Sequence, residues 1–149
     1  MIRILFICHG NICRSVMAEY IMKDLLKKKC LEDIYVVESA ATSREEIGND
    51  IYPPAKRKLN EKHIAYGVHK ARQVQTNEYD KWDYFIYMDQ NNKRNLSYIF
   101  PEDRENKIHP LLENKDVEDP WYTGNFDITY FDLVQGCQEW IQKLEKGIC

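Results

Sequence analysis

The chain has 149 residues, of which 44% are hydrophobic and 30% are charged, and its formal net charge is −3. This length favours one globular domain over residues 1–149 with a sizeable buried core. The slight acidity and the lack of a basic stripe with interleaved aromatics argue against nucleic acid as the main partner.

The first predicted elements are a buried strand and a helix joined by a tight loop. Met1 to Ile7 is an apolar run broken only by Arg3, which is typical of a strand covered on both faces of a parallel sheet. From Ser15 onward the apolar residues recur at helical spacing. The intervening loop therefore directs free amides and the positive end of a helix dipole at one point, which suits a dianion such as phosphate.

The residue types of this loop indicate covalent chemistry on a phosphoryl group. Cys8 lies in a positive field that favours its thiolate, which makes it a candidate nucleophile. The guanidinium of Arg14 can hold two oxygens of a tetrahedral anion, and the Ser15 hydroxyl can stabilise sulfur as a leaving group. Gly10 permits close approach of the main chain, and Asn11 tolerates the left-handed conformation that such a loop demands.

Plainer interpretations of the same loop exist. A Cys-x5-Arg spacing arises by chance, and a cysteine in an apolar strand usually serves packing. Cys8 and Cys13 could also be half of a metal site, although no second Cys/His cluster completes a zinc set. The loop lacks the G-x-x-x-x-G-K-[ST] pattern of a Walker motif.

Predicted strands and helices alternate along the rest of the chain, which indicates an α/β fold. Asp89 is a natural N-cap for the helix that follows it, and Thr76 can cap a brief helix. The apolar face of the final helix is expected to pack on the sheet. In chain order the predictions are a strand that begins with the apolar run 34–37 and ends at Ser39, a loop over 40–54, a helix over 55–62, a strand over 84–88, a helix over 90–98, a strand over 107–109 and a helix from about 127.

Residues 117–122 contain an Asp-Pro turn. Pro120 restricts Asp119 to extended geometry, and the stiffened turn can hold a carboxyl group over a pocket. The same composition is common in surface turns. Beside a nucleophilic loop, however, Asp119 supplies the general acid that phosphate transfer needs.

The loop Cys8-His9-Gly10-Asn11-Ile12-Cys13-Arg14-Ser15 resembles the signature loop of the low-molecular-weight protein tyrosine phosphatases. The likeness covers nearly the whole chain through residues 38–43, 47–49, 69–74, 88–89 and 118–122. It implies a single-domain, three-layer fold whose four-stranded parallel sheet has the order 2-1-3-4. It also implies an acid-phosphatase-like hydrolase that acts without metal or cofactor on phosphotyrosine and small aryl phosphates.

The resemblance implies specific roles for site residues. Cys8 would form a phosphocysteine, Arg14 would bind the phosphoryl group, and Asp119 would serve as general acid and base. Ser39 and His69 would hydrogen bond with Asn11 behind the loop. The residues implied to line the phosphate and substrate site are His9, Gly10, Asn11, Ile12, Cys13, Arg14, Ser15, Glu45, Trp121 and Tyr122.

Glu45 departs from the family pattern. It falls where relatives often carry an aromatic residue that sandwiches the substrate ring. A carboxylate would not stack and would repel acidic substrates, so we expect altered selectivity for the aryl group, or selectivity carried by other residues. The sequence leaves open how Glu45 and His9 together reshape that selectivity.

Two other functions compete with phosphatase activity. Some arsenate reductases share this loop and fold, but they relay a disulfide through cysteines near mid-chain, and none lies between Cys30 and Cys137. A non-catalytic phosphotyrosine-binding module would be expected to lack Cys8, Arg14 or Asp119. All three are present.

The expected partners are phosphotyrosine proteins or small aryl phosphates, with inorganic phosphate, vanadate and other oxyanions as inhibitors. Five cysteines, two of them in the loop, argue against a disulfide framework and suit a reducing compartment. The N-terminal apolar run is too short to span a membrane, so we predict a cytoplasmic protein without membrane insertion. Regulation by a Cys8–Cys13 disulfide, phosphorylation of Tyr122 and the oligomeric state stay open.

Overall fold

A computed structural model describes residues 1–147 and is built on one parallel sheet. Its strands are β1 (Ile2–Cys8), β2 (Tyr35–Ala41), β3 (Tyr84–Tyr87) and β4 (Ile108–Pro110). Their spatial order is β2-β1-β3-β4, and every neighbouring pair is parallel. The predicted α/β fold and strand order are confirmed. The last two residues of the predicted domain lie outside the described range.

Helices cover both faces of the sheet and complete the three layers. They are α1 (Arg14–Lys28), α2 (Pro53–Glu61), α3 (Gln90–Ile99), α4 (Pro120–Thr123) and α5 (Phe126–Gly147). Alternate residues of β1 serve opposite faces: Ile4 and Phe6 join the core with α1 and α5, and Leu5 and Ile7 join the core with α3. None of these helices combines the length and apolar character needed to cross a bilayer.

Two local predictions need correction. β2 begins one residue later than predicted and continues to Ala41, because Ser39–Ala41 pair with the last residues of β1. Gln75, not Thr76, occupies the N-cap position of the 3-10 helix over residues 76–81, and its main-chain amide donates to the Glu78 carboxylate at 2.7 Å. The prediction that the apolar face of α5 packs on the sheet is confirmed, since Trp140 contacts Tyr84 and Pro110, and the same helix also packs along α1.

The close packing of α5 requires glycine at position 136. A Cβ atom there would lie 2.8 Å from Leu111 Cδ1 and closer still to Cγ. Alanine would gain roughly 0.5–1 kcal/mol in helix propensity, but overpacking costs about 1–3 kcal/mol. We therefore expect Gly136→Ala to lower the free energy of unfolding, as measured by urea denaturation.

Gly67, which lies outside the helices, shows the effect of alanine where there is room for a Cβ atom. A Cβ at Gly67 would make only an ordinary 3.7 Å contact with the Tyr20 hydroxyl, so Gly67→Ala should leave stability nearly unchanged or slightly raised. An increase in stability for Gly136→Ala would contradict the crowding argument.

Candidate active site

The site lies where the carboxyl ends of the two central strands meet the start of α1. Cys8 is the last residue of β1, and Met88 and Asp89 follow β3 at the same edge. A cavity of about 120 Å³ opens there. Its lining consists of Cys8, His9, Gly10, Asn11, Ile12, Cys13, Arg14, Glu45, Glu46, Asp119, Trp121 and Tyr122.

Cys8 is held in this cavity by short polar contacts. Its Sγ lies 3.0 Å from Ser15 Oγ and accepts a hydrogen bond from the main-chain amide of Asn11 at 3.3 Å. Asn11 adopts a φ of 62°, the left-handed conformation that the sequence predicts for it. The loop therefore places both an amide and a hydroxyl at the sulfur.

A buried hydrogen-bond network lies behind the loop. The Asn11 side-chain amide donates to Ser15 Oγ at 2.8 Å and to Ser39 Oγ at 2.9 Å. His69 Nε2 donates to the main-chain oxygen of Asn11 at 2.6 Å. Ser39 in turn donates to the buried carboxylate of Glu19 at 2.6 Å. The structure thus brings Ser39 and His69 together at Asn11, and it adds Glu19, which sequence reasoning missed.

Arg14 is almost fully buried, and three groups fix its guanidinium. Nη1 donates to Asp89 Oδ2 at 2.7 Å and to the main-chain oxygen of Val117 at 2.9 Å, and Nη2 lies 3.4 Å from Asp119 Oδ2. Burial opposes the charged form, but the negative charges of Cys8 and Asp119 outweigh it and raise the Arg14 pKa. Arg14 is therefore a permanent, oriented cation.

Asp89 performs two tasks, of which the sequence revealed one. It caps α3 as predicted, since Oδ1 accepts from the Asn92 amide at 2.8 Å. Its other oxygen binds Arg14, a pairing that arises because β3 lies beside β1. The only signal in the sequence for the contact with Arg14 was that Asp89 directly follows a central strand.

The Asp89–Arg14 contact leads to a testable expectation. Asp89→Asn retains an oxygen that can cap α3 but removes the negative charge that orients the guanidinium. A hydrogen bond to a charged group contributes about 1.5–3 kcal/mol, so we expect kcat/KM for aryl phosphates to fall roughly tenfold to a hundredfold. Steady-state kinetics would measure this, and thermal denaturation should show little loss of stability. Unchanged kinetics would contradict an orienting role.

Asp119 lies at the cavity wall in the predicted turn. Its Oδ1 accepts from the Trp121 amide at 3.0 Å, which makes it the N-cap of α4. Its Oδ2 faces Arg14. The ring of Trp121 lies 4.7 Å from that of Tyr52, and both Trp121 and Tyr122 are exposed at the rim.

Part of the cavity lining is polar. His9 Nε2 lies 2.9 Å from Glu45 Oε2, so the loop after β1 and the loop after β2 are in contact at the cavity. Glu46, which sequence reasoning did not single out, also lines the cavity and packs against Gly10. Glu46 is adjacent to Glu45 in the sequence, but no sequence pattern indicates which of the two side chains lines the cavity.

The other cysteines differ in environment. Cys13 is buried beside Cys8, and burial together with the charge of Cys8 raises the pKa of its thiol. Cys30 is exposed, Cys137 is buried, and neither lines the cavity. No disulfide relay to Cys8 through these two residues is therefore built into the fold. Within residues 1–147, no cluster of three or more His, Cys, Asp or Glu side chains could hold a metal ion.

Comparison with known proteins agrees with this geometry. A profile of the family described as low molecular weight phosphotyrosine protein phosphatase matches residues 3–148. The Bacillus subtilis low molecular weight protein-tyrosine-phosphatase YfkJ is 36% identical over 98% of this chain and 97% of its own length. The rat low molecular weight phosphotyrosine protein phosphatase is 33% identical over 94% of each chain. The crystal structure of YfkJ superposes with a TM-score of 0.94, covering 99% of this chain and 96% of that one.

Proposed function

The chain belongs to the low molecular weight phosphotyrosine protein phosphatase family, and from this premise we propose how its own residues carry out phosphate transfer. The protein is a protein tyrosine phosphatase, a hydrolase of a metal-independent family. One observation carries the assignment of roles: Cys8, Arg14 and Asp119 line a single cavity at the carboxyl end of β1.

In the first step, the Cys8 thiolate attacks phosphorus in line with the departing oxygen. The P–S bond forms as the P–O bond breaks, and Asp119 donates its proton to the leaving phenolate. Arg14 and the loop amides hold the three non-bridging oxygens. The proximity of Asp119 to Arg14 supports this arrangement, because it keeps the acid beside the bound phosphoryl group.

In the second step, water hydrolyses the phosphocysteine. Asp119, now a carboxylate, takes a proton from the attacking water, and inorganic phosphate and the Cys8 thiolate are released. Ser15 stabilises the departing sulfur from 3.0 Å. Ser39 and His69 act through Asn11, because their hydrogen bonds hold this residue in its left-handed backbone conformation.

The substrate ring is proposed to lie between the two rims of the cavity. Trp121 and Tyr122 offer flat apolar surface to an aryl group, and Glu45 with His9 forms the polar side. Phosphotyrosine proteins and small aryl phosphates are the proposed substrates, and inorganic phosphate and vanadate the proposed inhibitors. Four free cysteines among residues 1–147 support a cytoplasmic location.

Hydrolysis of p-nitrophenyl phosphate tests the proposal. We expect turnover in the presence of EDTA, inhibition by vanadate, and a burst of p-nitrophenol if breakdown of the phosphocysteine limits the rate. Trapping of phosphate on Cys8, identified by mass spectrometry after rapid acid quench, would support the covalent step. Binding of phosphotyrosine without release of phosphate would overturn the catalytic assignment.

A further inference from the structure

His9, Glu45 and Glu46 line the cavity but are not used by the chemistry described above. Glu45 lies on the loop between β2 and α2, and His9 follows the nucleophile directly. Their side chains are 69% and 45% exposed, respectively, and both residues line the cavity. The contact holds an exposed glutamate at the entrance instead of leaving it free in solvent.

Acidic side chains outnumber basic ones among the residues that line the cavity, with Glu45, Glu46 and Asp119 against Arg14. Arg14 is deeply buried, and its guanidinium is engaged by Asp89 and Asp119. Glu46 is partly buried against Gly10, and its carboxylate accepts from the neutral amide of Asn49 at 2.6 Å. No lysine lines the cavity among the described residues. A phosphoryl dianion entering here meets two carboxylates at the rim, and a cation on the same substrate would offset that repulsion.

The size of the cavity determines which part of a substrate the rim contacts. About 120 Å³ accommodates a phosphoryl group and part of an aryl ring, so Glu45 faces whatever flanks the ring. His9 engages only Oε2 of Glu45, and a carboxylate can accept further hydrogen bonds through its second oxygen.

We infer that Glu45, held by His9 and assisted by Glu46, is a specificity-determining residue that selects phosphotyrosine flanked by lysine or arginine. This inference rests on the proposed function, because it assumes that phosphotyrosine occupies the cavity. The selection acts on binding, so it changes KM more than kcat.

Three synthetic phosphotyrosine peptides that differ only in the flanking residues test the inference. With lysine, glutamine or glutamate on both sides of phosphotyrosine, kcat/KM should fall in that order. Each exposed ion pair changes an equilibrium by about 1.5- to 5-fold, so lysine and glutamate peptides should differ by roughly tenfold at low salt, mainly in KM. The difference should shrink at 0.5 M salt, where charges on the surface are screened.

Charge reversal at the rim provides the decisive variant. Glu45→Lys should reverse the order so that the glutamate peptide becomes the better substrate, and Glu46→Gln should reduce the preference without reversing it. Glu32→Lys is the matched control, because Glu32 is exposed at the opposite end of the sheet and the variant has the same net charge. It should keep the wild-type order.

The outcomes are distinguishable from failure of the proposed function. Each variant is judged by the ratio between peptides, so a uniform change in activity cancels. Equal KM values for the three wild-type peptides would overturn the inference, as would a lysine preference retained in Glu45→Lys. No release of phosphate from the wild-type protein with any peptide would instead refute the proposed function.

Discussion

Replacing Cys8 with serine should reduce hydrolysis of p-nitrophenyl phosphate below detection while leaving the cavity able to bind inorganic phosphate. A serine hydroxyl lacks the thiolate's nucleophilicity, and loss of an enzyme's nucleophile costs on the order of 10⁶ in kcat. The oxygen fits where the sulfur lies, and Arg14 and the loop amides are unchanged. Steady-state kinetics and isothermal titration with phosphate would measure the two properties separately.

The control for this variant is Cys30→Ser, the same substitution at an exposed cysteine distant from the cavity. It should keep wild-type kinetics. Substantial turnover by Cys8→Ser would refute covalent catalysis at Cys8. If Cys8→Ser lost phosphate binding as well as turnover, the sulfur would instead be needed to maintain the loop.

Replacing Asp119 with alanine should slow the hydrolysis of aryl phosphates by about 10²–10⁴, the usual contribution of a general acid. The loss should be larger for phenyl phosphate than for p-nitrophenyl phosphate, because the nitrophenolate leaves readily without a proton. A series of substituted phenyl phosphates would therefore show a steeper dependence on the leaving group in the variant.

Asp119 also caps α4, so a structural effect must be separated from a catalytic one. Asp119→Asn retains an oxygen that can accept from the Trp121 amide but cannot transfer the proton. It should resemble Asp119→Ala in kinetics, and Asp116→Ala, an exposed carboxylate in the same segment, should resemble the wild type. Wild-type activity in Asp119→Asn would assign the loss to the missing cap.

The parts of the site that are local in sequence were predictable. The change from strand to helical spacing located the loop from Cys8 to Ser15, and Asn11 has the left-handed conformation expected of it. The capping of α3 by Asp89 was predictable for the same reason, because a cap contacts its own helix. The strand order came from family resemblance, since no local pattern determines it, whereas the Asp-Pro turn itself indicated Asp119 as the candidate acid.

The contacts missed by sequence reasoning are long-range or depend on a pairing partner. Asp89 and Arg14 are 75 residues apart and meet only because β3 lies beside β1. β2 continues beyond Ser39 through Ala40 and Ala41, which have weak strand propensity, because these residues pair with Ile7 and Cys8 at the end of β1. Glu19 reaches the loop only through Ser39, a link that helical spacing cannot reveal.

The location of Cys8 in the central strand has a consequence for fluctuations of the native state. β1 is bonded on both sides, to β2 and to β3, so its residues can separate from their neighbours only when the whole molecule unfolds. Glu45 belongs to a surface connection that can open locally. Amide protons of β1 should thus exchange with solvent deuterium far more slowly than those around Glu45, which gives the enzyme a rigid nucleophile beside an adaptable entrance.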